Sequence, residues 1–209
     1  MSESSNNIYI SGLCMSAPEL SHTVYEENFY RFFIGVRRLS GAEDVLPVTV
    51  SESLLAVRPV MVSFHYTIVG QIRSYNLHSE NGSKLLISVF AKELYSDSSN
   101  DRSLDCNRCE LTGFICKDVT YRTTPFAREI SDVLIAVNRR YGKSDYLPCI
   151  AWGKNARKLS MLSVGDEIYL EGRLQSREYV KTLPGGSSEN RIAYEVSCST
   201  VDYAKEYNP

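Results

Sequence analysis

The stretch IAVNRRYGKSDYLPCIAW, Ile135–Trp152, reads as two β-strands joined by a turn. Val133, Ile135 and Val137 alternate with Leu134, Ala136 and Asn138, and Gly142-Lys143 supplies the hairpin signal. Past the turn, Tyr146, Pro148, Ile150 and Trp152 share one parity, and Leu147, Cys149 and Ala151 share the other. Both rows are apolar. One row has to fill a core; the other is left over. If the leftover row is the one with Tyr146 and the chain's single Trp, those rings stand beside Arg139, Arg140 and Lys143. The plain alternative is that both rings are themselves core.

The same sentence occurs earlier as IGVRRLSGAEDVLPVTVS, Ile34–Ser51, without the aromatic residues. Gly12 and Gly113 anchor an offset of 101 (113 − 12), which carries Val36 onto Val137, Arg38 onto Arg139 and Gly41 onto Gly142. It also carries Asp44 onto Asp145 and Leu46-Pro47 onto Leu147-Pro148. One residue is gained later, so that Gly70 meets Gly172 and Ser74 meets Ser176. Two copies make a duplicated domain rather than a solenoid. The expected organisation is a first domain over residues 1–95, a linker over 96–105 that is flexible in composition, and a second domain over 106–209.

Each copy reads as β-rich. In the second, strands are expected near Cys109–Tyr121, Glu129–Arg139, Tyr146–Trp152, Glu167–Lys181 and Arg191–Tyr203. Ala156, Leu159 and Leu162 stand at helical spacing after Lys154, and Gly165 stops that helix. In the first copy SESLLAV begins a shorter helix at Ser51, ended by Pro59. Five strands with one helix between the third and fourth is the OB-fold order. The expected fold is therefore all-β, two tandem OB-fold barrels. In the fourth strand Ile168, Leu170, Gly172 and Leu174 belong to the core face. Tyr169, Glu171, Arg173, Gln175, Arg177, Tyr179 and Lys181 form the outward row.

Composition sets bounds. With 209 residues, 43% hydrophobic and 23% charged, the chain has an ordinary globular mix. It has no run of about 18 apolar residues that would span a membrane. MSESSNNIYI lacks the marks of a secretory signal, so the expected compartment is the cytoplasm and the six cysteines are expected as thiols. Cys106 and Cys109 form a lone CxxC pair, and the three His lie in the other half, so neither metal nor cofactor is expected. The net charge is −2, yet Arg139–Lys181 holds 9 Lys+Arg against 5 Asp+Glu. A local basic stretch with interleaved aromatics suits single-stranded nucleic acid. Bases stack on rings at about 1–3 kcal/mol each, and cations release condensed counterions. No phosphate-cradling loop, HExxH or nucleophile elbow occurs, so an enzyme is not expected.

IAVNRR, CIAWGKNARKL and VGDEIYLEGRLQSREY together resemble the bacterial single-stranded DNA-binding protein family, including its primosomal replication protein B relatives. TTPFAREISDVLIAVNR fits the family's T-P-x-G-x-x-V strand, with Ala127 where Gly is usual. The resemblance covers roughly residues 107–203. It implies sequence-tolerant single-stranded DNA binding in replication, recombination or repair, close to the bacterial nucleoid. It places the family's four stacking positions on Tyr141, Tyr146, Trp152 and Tyr179, and its basic positions on Arg139, Lys154, Arg173 and Arg177. Arg140, Lys143, Gln175 and Lys181 complete the expected DNA-facing set. The family also implies self-association of OB folds: a pseudo-dimer within the chain, with a dimer of chains giving four barrels. The first copy departs from the pattern, since Ser40, Val45, Ser51 and Leu77 stand at the four stacking positions. Either it is a permanent internal partner, which is the favoured expectation, or it has a different ligand. VDYAKEYNP carries no acidic, aromatic tip of the kind that recruits partner enzymes. The competing reading is a protein–protein adaptor, or primosome-type component, with vestigial DNA binding.

Overall fold

The computed structural model describes residues 5–79, 82–97, 101–139, 142–182 and 186–204. The first barrel contains β1 (Asn6–Cys14), β2 (Glu19–Val24), β3 (Glu27–Arg37), β4 (Glu43–Ser51), α1 (Glu52–Val57), β5 (His65–Ser79) and β6 (Gly82–Asp97). The second contains β7 (Cys106–Ile115), β8 (Thr120–Thr123), β9 (Glu129–Asn138), β10 (Ser144–Trp152), α2 (Lys154–Ser160), β11 (Glu167–Thr182) and β12 (Ser188–Tyr203). These are two tandem OB folds, each closed by a parallel pairing: Val48 opposite Val89 in one, Cys149 opposite Val196 in the other.

The five expected strands per barrel become six segments. The stretch expected as Cys109–Tyr121 starts at Cys106 and breaks at Cys116, whose amide donates to the Leu134 carbonyl at 3.0 Å. The remainder returns as β8, a ribbon against the start of β9. Just before the break, β7 crosses β9. A Cβ on Gly113 would lie 2.8 Å from the Ala136 carbonyl oxygen, and one on Gly12 would lie 2.4 Å from that of Gly35. Those two anchors of the internal repeat are therefore places where backbones touch.

The leftover-row question is settled by burial. Leu147, Cys149 and Ala151 fill the second barrel with Leu111, Ile135, Val137, Ile168, Leu170 and Val196, while Tyr146 and Trp152 face outward. Fully burying such a side chain stabilises the fold by about 1.5–3 kcal/mol. Ala156 and Leu159 on α2 close one end of the barrel. The helix ends at Ser160, one turn earlier than Gly165 implies, and Leu162 packs from the following turn. On α1 no residue is fully buried, and Ser51 caps it by accepting from the Leu54 amide at 3.3 Å. Tyr169, expected in the outward row, is buried, with its hydroxyl 2.9 Å from Glu171 Oε1.

The twelve strands form one sheet in the order β2-β3-β4-β6-β5-β1-β7-β11-β12-β10-β9-β8. Under the duplication this order is a palindrome. Its centre is the antiparallel pairing of β1 with β7, where Ile8 lies opposite Cys109, its own counterpart at the offset of 101. The barrels thus pair isologously, as the subunits of a two-fold dimer do. The Arg108 guanidinium sits 4.8 Å from the centre of the Tyr9 ring across this seam. The connection between barrels is less free than its composition implies. β6 ends at Asp97, and a short 3-10 turn follows at Arg102–Leu104. The buried Asp105 carboxylate then accepts from the Arg37 amide at 2.7 Å and lies 2.9 Å from His65 Nε2.

Candidate nucleic-acid interface

The outward row of β10 is the core of the candidate site. Tyr146 and Trp152 are each 43% exposed, with half-buried Pro148 and buried Ile150 between them. Nine register pairs with β9 hold the strand straight. Six residues of strand separate the two rings by about 20 Å. They cannot clamp one base between them, so each would meet a different nucleotide of an extended strand. Lys143 precedes the row and Lys154 opens α2 beyond it. Both are exposed, with no ion pair among the described residues. Arg140 and Tyr141 lie outside the described residues.

Arg139 is engaged at the seam between the barrels. Asp145, fully buried, sits 2.9 Å from Arg139 Nε and 3.5 Å from Arg73 Nη1. Its other oxygen accepts from the Ser74 amide at 2.7 Å, and the Tyr146 amide donates to Ser74 Oγ at 2.7 Å. Burial pushes the Asp145 carboxyl above its ordinary range, opposed by the Ser74 amide and both arginines. The second barrel's outward row is thus pinned, at its Tyr146 end, to the first barrel. The duplicate of this cluster lies across the pseudo-two-fold. There Arg38 Nε donates to Asp44 at 2.7 Å, the Ser176 amide to Asp44 at 2.8 Å, and the Val45 amide to Ser176 Oγ at 3.2 Å. Arg38 and Arg139, Asp44 and Asp145, and Ser74 and Ser176 were all kept by the repeat, and all of them build the seam. That retention in both copies was the available signal for it.

The outward row of β11 divides. Arg173 and Gln175 are half-buried beside the seam; Arg173 Nη2 donates to Gln175 Oε1 at 3.4 Å, and Gln175 donates to Glu195 at 2.9 Å. Beyond them the strand is open. Arg177 lies 3.5 Å from Glu195 and 5.9 Å from the centre of the Tyr179 ring, which is 36% exposed. Tyr179 and Lys181 line a groove of about 660 Å³ shared with the first barrel. Pro148 of β10 reaches that groove, whereas Tyr146 and Trp152 are outside its lining. The structure therefore joins the β10 row and the β11 tip through Pro148 and does not gather them in one pocket. The described residues contain no cluster of His, Cys, Asp and Glu that could hold a metal ion.

Residues 106–203 match the family model described as the single-strand binding protein family. Single-stranded DNA-binding protein 1 of Staphylococcus aureus (strain COL) is 32% identical over 111 residues, 49% of this chain and 63% of that protein. Single-stranded DNA-binding protein 2 of S. aureus (strain MSSA476) gives the same figures. The chain thus spans 63% of the length of these relatives. A crystal structure of a deletion variant of the single-stranded DNA binding protein from Thermus aquaticus superposes with a TM-score of 0.78 at 18% identity. That match covers 100% of this chain and 98% of the other, so the likeness in fold extends over both barrels.

Proposed function

We infer that this chain, whose residues 106–203 match the model of the single-strand binding protein family, binds single-stranded DNA without sequence selectivity and without catalysis. The observation that carries the reading is the outward row of β10, where two rings stand bare on a strand whose other row is sealed. Trp152 and Tyr146 each stack a separate base, and Tyr179 takes a third farther along. A stack is worth about 1–3 kcal/mol and tolerates any base, because every base has a π-face. Lys143, Lys154, Arg177 and Lys181 neutralise phosphates. Arg139 and Arg173 hold the scaffold behind them, and Arg140 and Tyr141, which fall between β9 and β10 in the sequence, extend the set. Such a protein protects single strands during replication, recombination or repair in the cytoplasm, and two chains pairing would present four barrels.

Trp152 is the sole Trp, so its fluorescence reports on this site alone. Titration with oligo-dT should quench it saturably, with log K falling by about 0.7 per phosphate contact as log salt rises. Duplex DNA of equal length should quench it far less. Absence of saturable quenching by oligo-dT at low salt would refute the reading.

A further inference from the structure

We propose that the first barrel, although it carries none of the four aromatic residues found at the corresponding positions of the second, contributes a second single-stranded DNA track along the groove completed by the second barrel's hairpin. The proposal rests on the single-stranded DNA reading above and assigns the polymer a further contact surface. Arg31 and Lys84 of the first barrel and Lys181 and Arg191 of the second line this groove against one carboxylate, Glu189. Glu189 is already held by Arg191 at 2.8 Å. Arg31, Lys84 and Lys181 make no ion pair among the described residues, so three uncompensated cations border a concave surface and favour a polyanion. Rings suited to bases stand among them. Tyr75 is 52% exposed, and Phe33 and Tyr179 share the same lining.

Part of this lining departs from the pseudo-symmetry. The offset of 101 carries Arg31 onto Asp132 and Phe33 onto Leu134. Asp132 is occupied by Arg122 at 3.0 Å. At these two positions the basic and the aromatic residue occur in the first copy alone, whereas the duplicate pairs Pro47 with Pro148 and Lys84 with Arg191 line the groove from both barrels. Bare rings at intervals among cations match a strand of unpaired nucleotides better than an acidic peptide, which offers no planes to stack. Through Pro148 the groove is continuous with the β10 row, so one strand leaving Tyr146 can enter it.

The test uses the whole chain and labelled dT oligomers of about 10 nucleotides, within the site size of one OB fold, and about 30, well beyond it. The variant is Arg31→Glu with Lys84→Glu, both exposed and unpaired, so the fold is not at risk; Tyr75→Ala is the second variant. The parent should bind the longer oligomer more tightly. The double variant should lose that gain, with a salt slope shallower by about 1.4, while Trp152 quenching by the shorter oligomer stays as in the parent. Tyr75→Ala should weaken the longer oligomer roughly fivefold or more. If both variants match the parent on the longer oligomer while Trp152 is still quenched, the groove proposal fails and the parent reading stands. If the parent's own Trp152 is not quenched, the parent reading fails and the proposal with it. Loss of poly-glutamate binding in the double variant, with DNA binding intact, would assign the groove to acidic peptides and overturn the proposal.

Discussion

Replacing Asp145 with Ala should destabilise the chain more than the same change at its duplicate, Asp44. Asp145 is fully buried, and its carboxylate meets Arg139, Arg73 and the Ser74 amide. Asp44 meets one arginine, Arg38, because Gln175 stands where the duplication would place the partner of Arg73. Breaking a buried ion pair by deleting one partner costs about 3–5 kcal/mol when the survivor is sealed. Arg139 and Arg73 are 28% and 26% exposed and can recover part of their hydration, which brings the Asp145→Ala cost to about 3 kcal/mol. Asp44→Ala, stranding one cation, should cost about 2 kcal/mol. The excess at Asp145 is repulsion between the two stranded arginines. Burial holds Arg73 below the ordinary arginine range; Asp145 opposes that and Arg139 adds to it. Adding Arg73→Gln to Asp145→Ala should therefore return about 1 kcal/mol, measured as a coupling in a double-mutant cycle from urea melts. For a chain of this length, about 3 kcal/mol corresponds to a Tm lower by roughly 6–12 °C. If Asp44→Ala proves as costly as Asp145→Ala, or Arg73→Gln returns nothing, the seam is not held together by these charges.

Other outcomes are expected from the same geometry. Arg139→Ala should lower the melting temperature and leave the salt slope of oligo-dT binding unchanged, whereas Lys154→Ala should make the slope shallower by about 0.7 with no loss of stability. Ala127 adopts φ +57°, in the left-handed region that favours Gly. Ala127→Gly should stabilise the fold by about 0.5–1 kcal/mol in thermal melts, since removing the Cβ strain outweighs the added freedom of the unfolded chain. Burial pushes the Cys109 thiol upward, and a hydrogen bond with Cys198, then burial, does the same for Cys149, so both stay protonated at pH 8. Because the thiolate is the nucleophile, they should resist iodoacetamide in the native protein and react once it is denatured, read by peptide mass mapping.

The barrels were legible because period-2 alternation and turn chemistry are local. Leu147, Cys149 and Ala151 declare a core row without help from any distant residue. The exposure of Trp152 was equally readable once its row had lost the contest for the core. What local pattern could not supply was which cation meets which partner. Arg139 and Arg177 look alike in a motif; only the approach of the first barrel, bringing Ser74 and buried Asp145, turns the first inward. Tyr169 was misread for the same reason, since parity assigns a face without saying whether another element covers it. The polar link from Ser96 to Asp105 reads as flexible by composition, and Asp105 is fixed by His65 and Arg37, residues far away in sequence.

The duplication also says which positions are free to change. In an isologous seam every residue acts twice, once on each side of the axis, so a substitution there is felt at two places. Ile8 opposite Cys109, and the paired clusters of Asp44 with Ser176 and Asp145 with Ser74, are such positions. An outward row acts once. Val45 stands where the second copy has Tyr146 without loss to the seam, because its amide donates to Ser176 Oγ just as the Tyr146 amide donates to Ser74 Oγ. Agreement between the copies therefore marks scaffold. Disagreement at an exposed position, such as Tyr146 against Val45 or Arg31 against Asp132, marks the surface on which each barrel was free to acquire its own contacts.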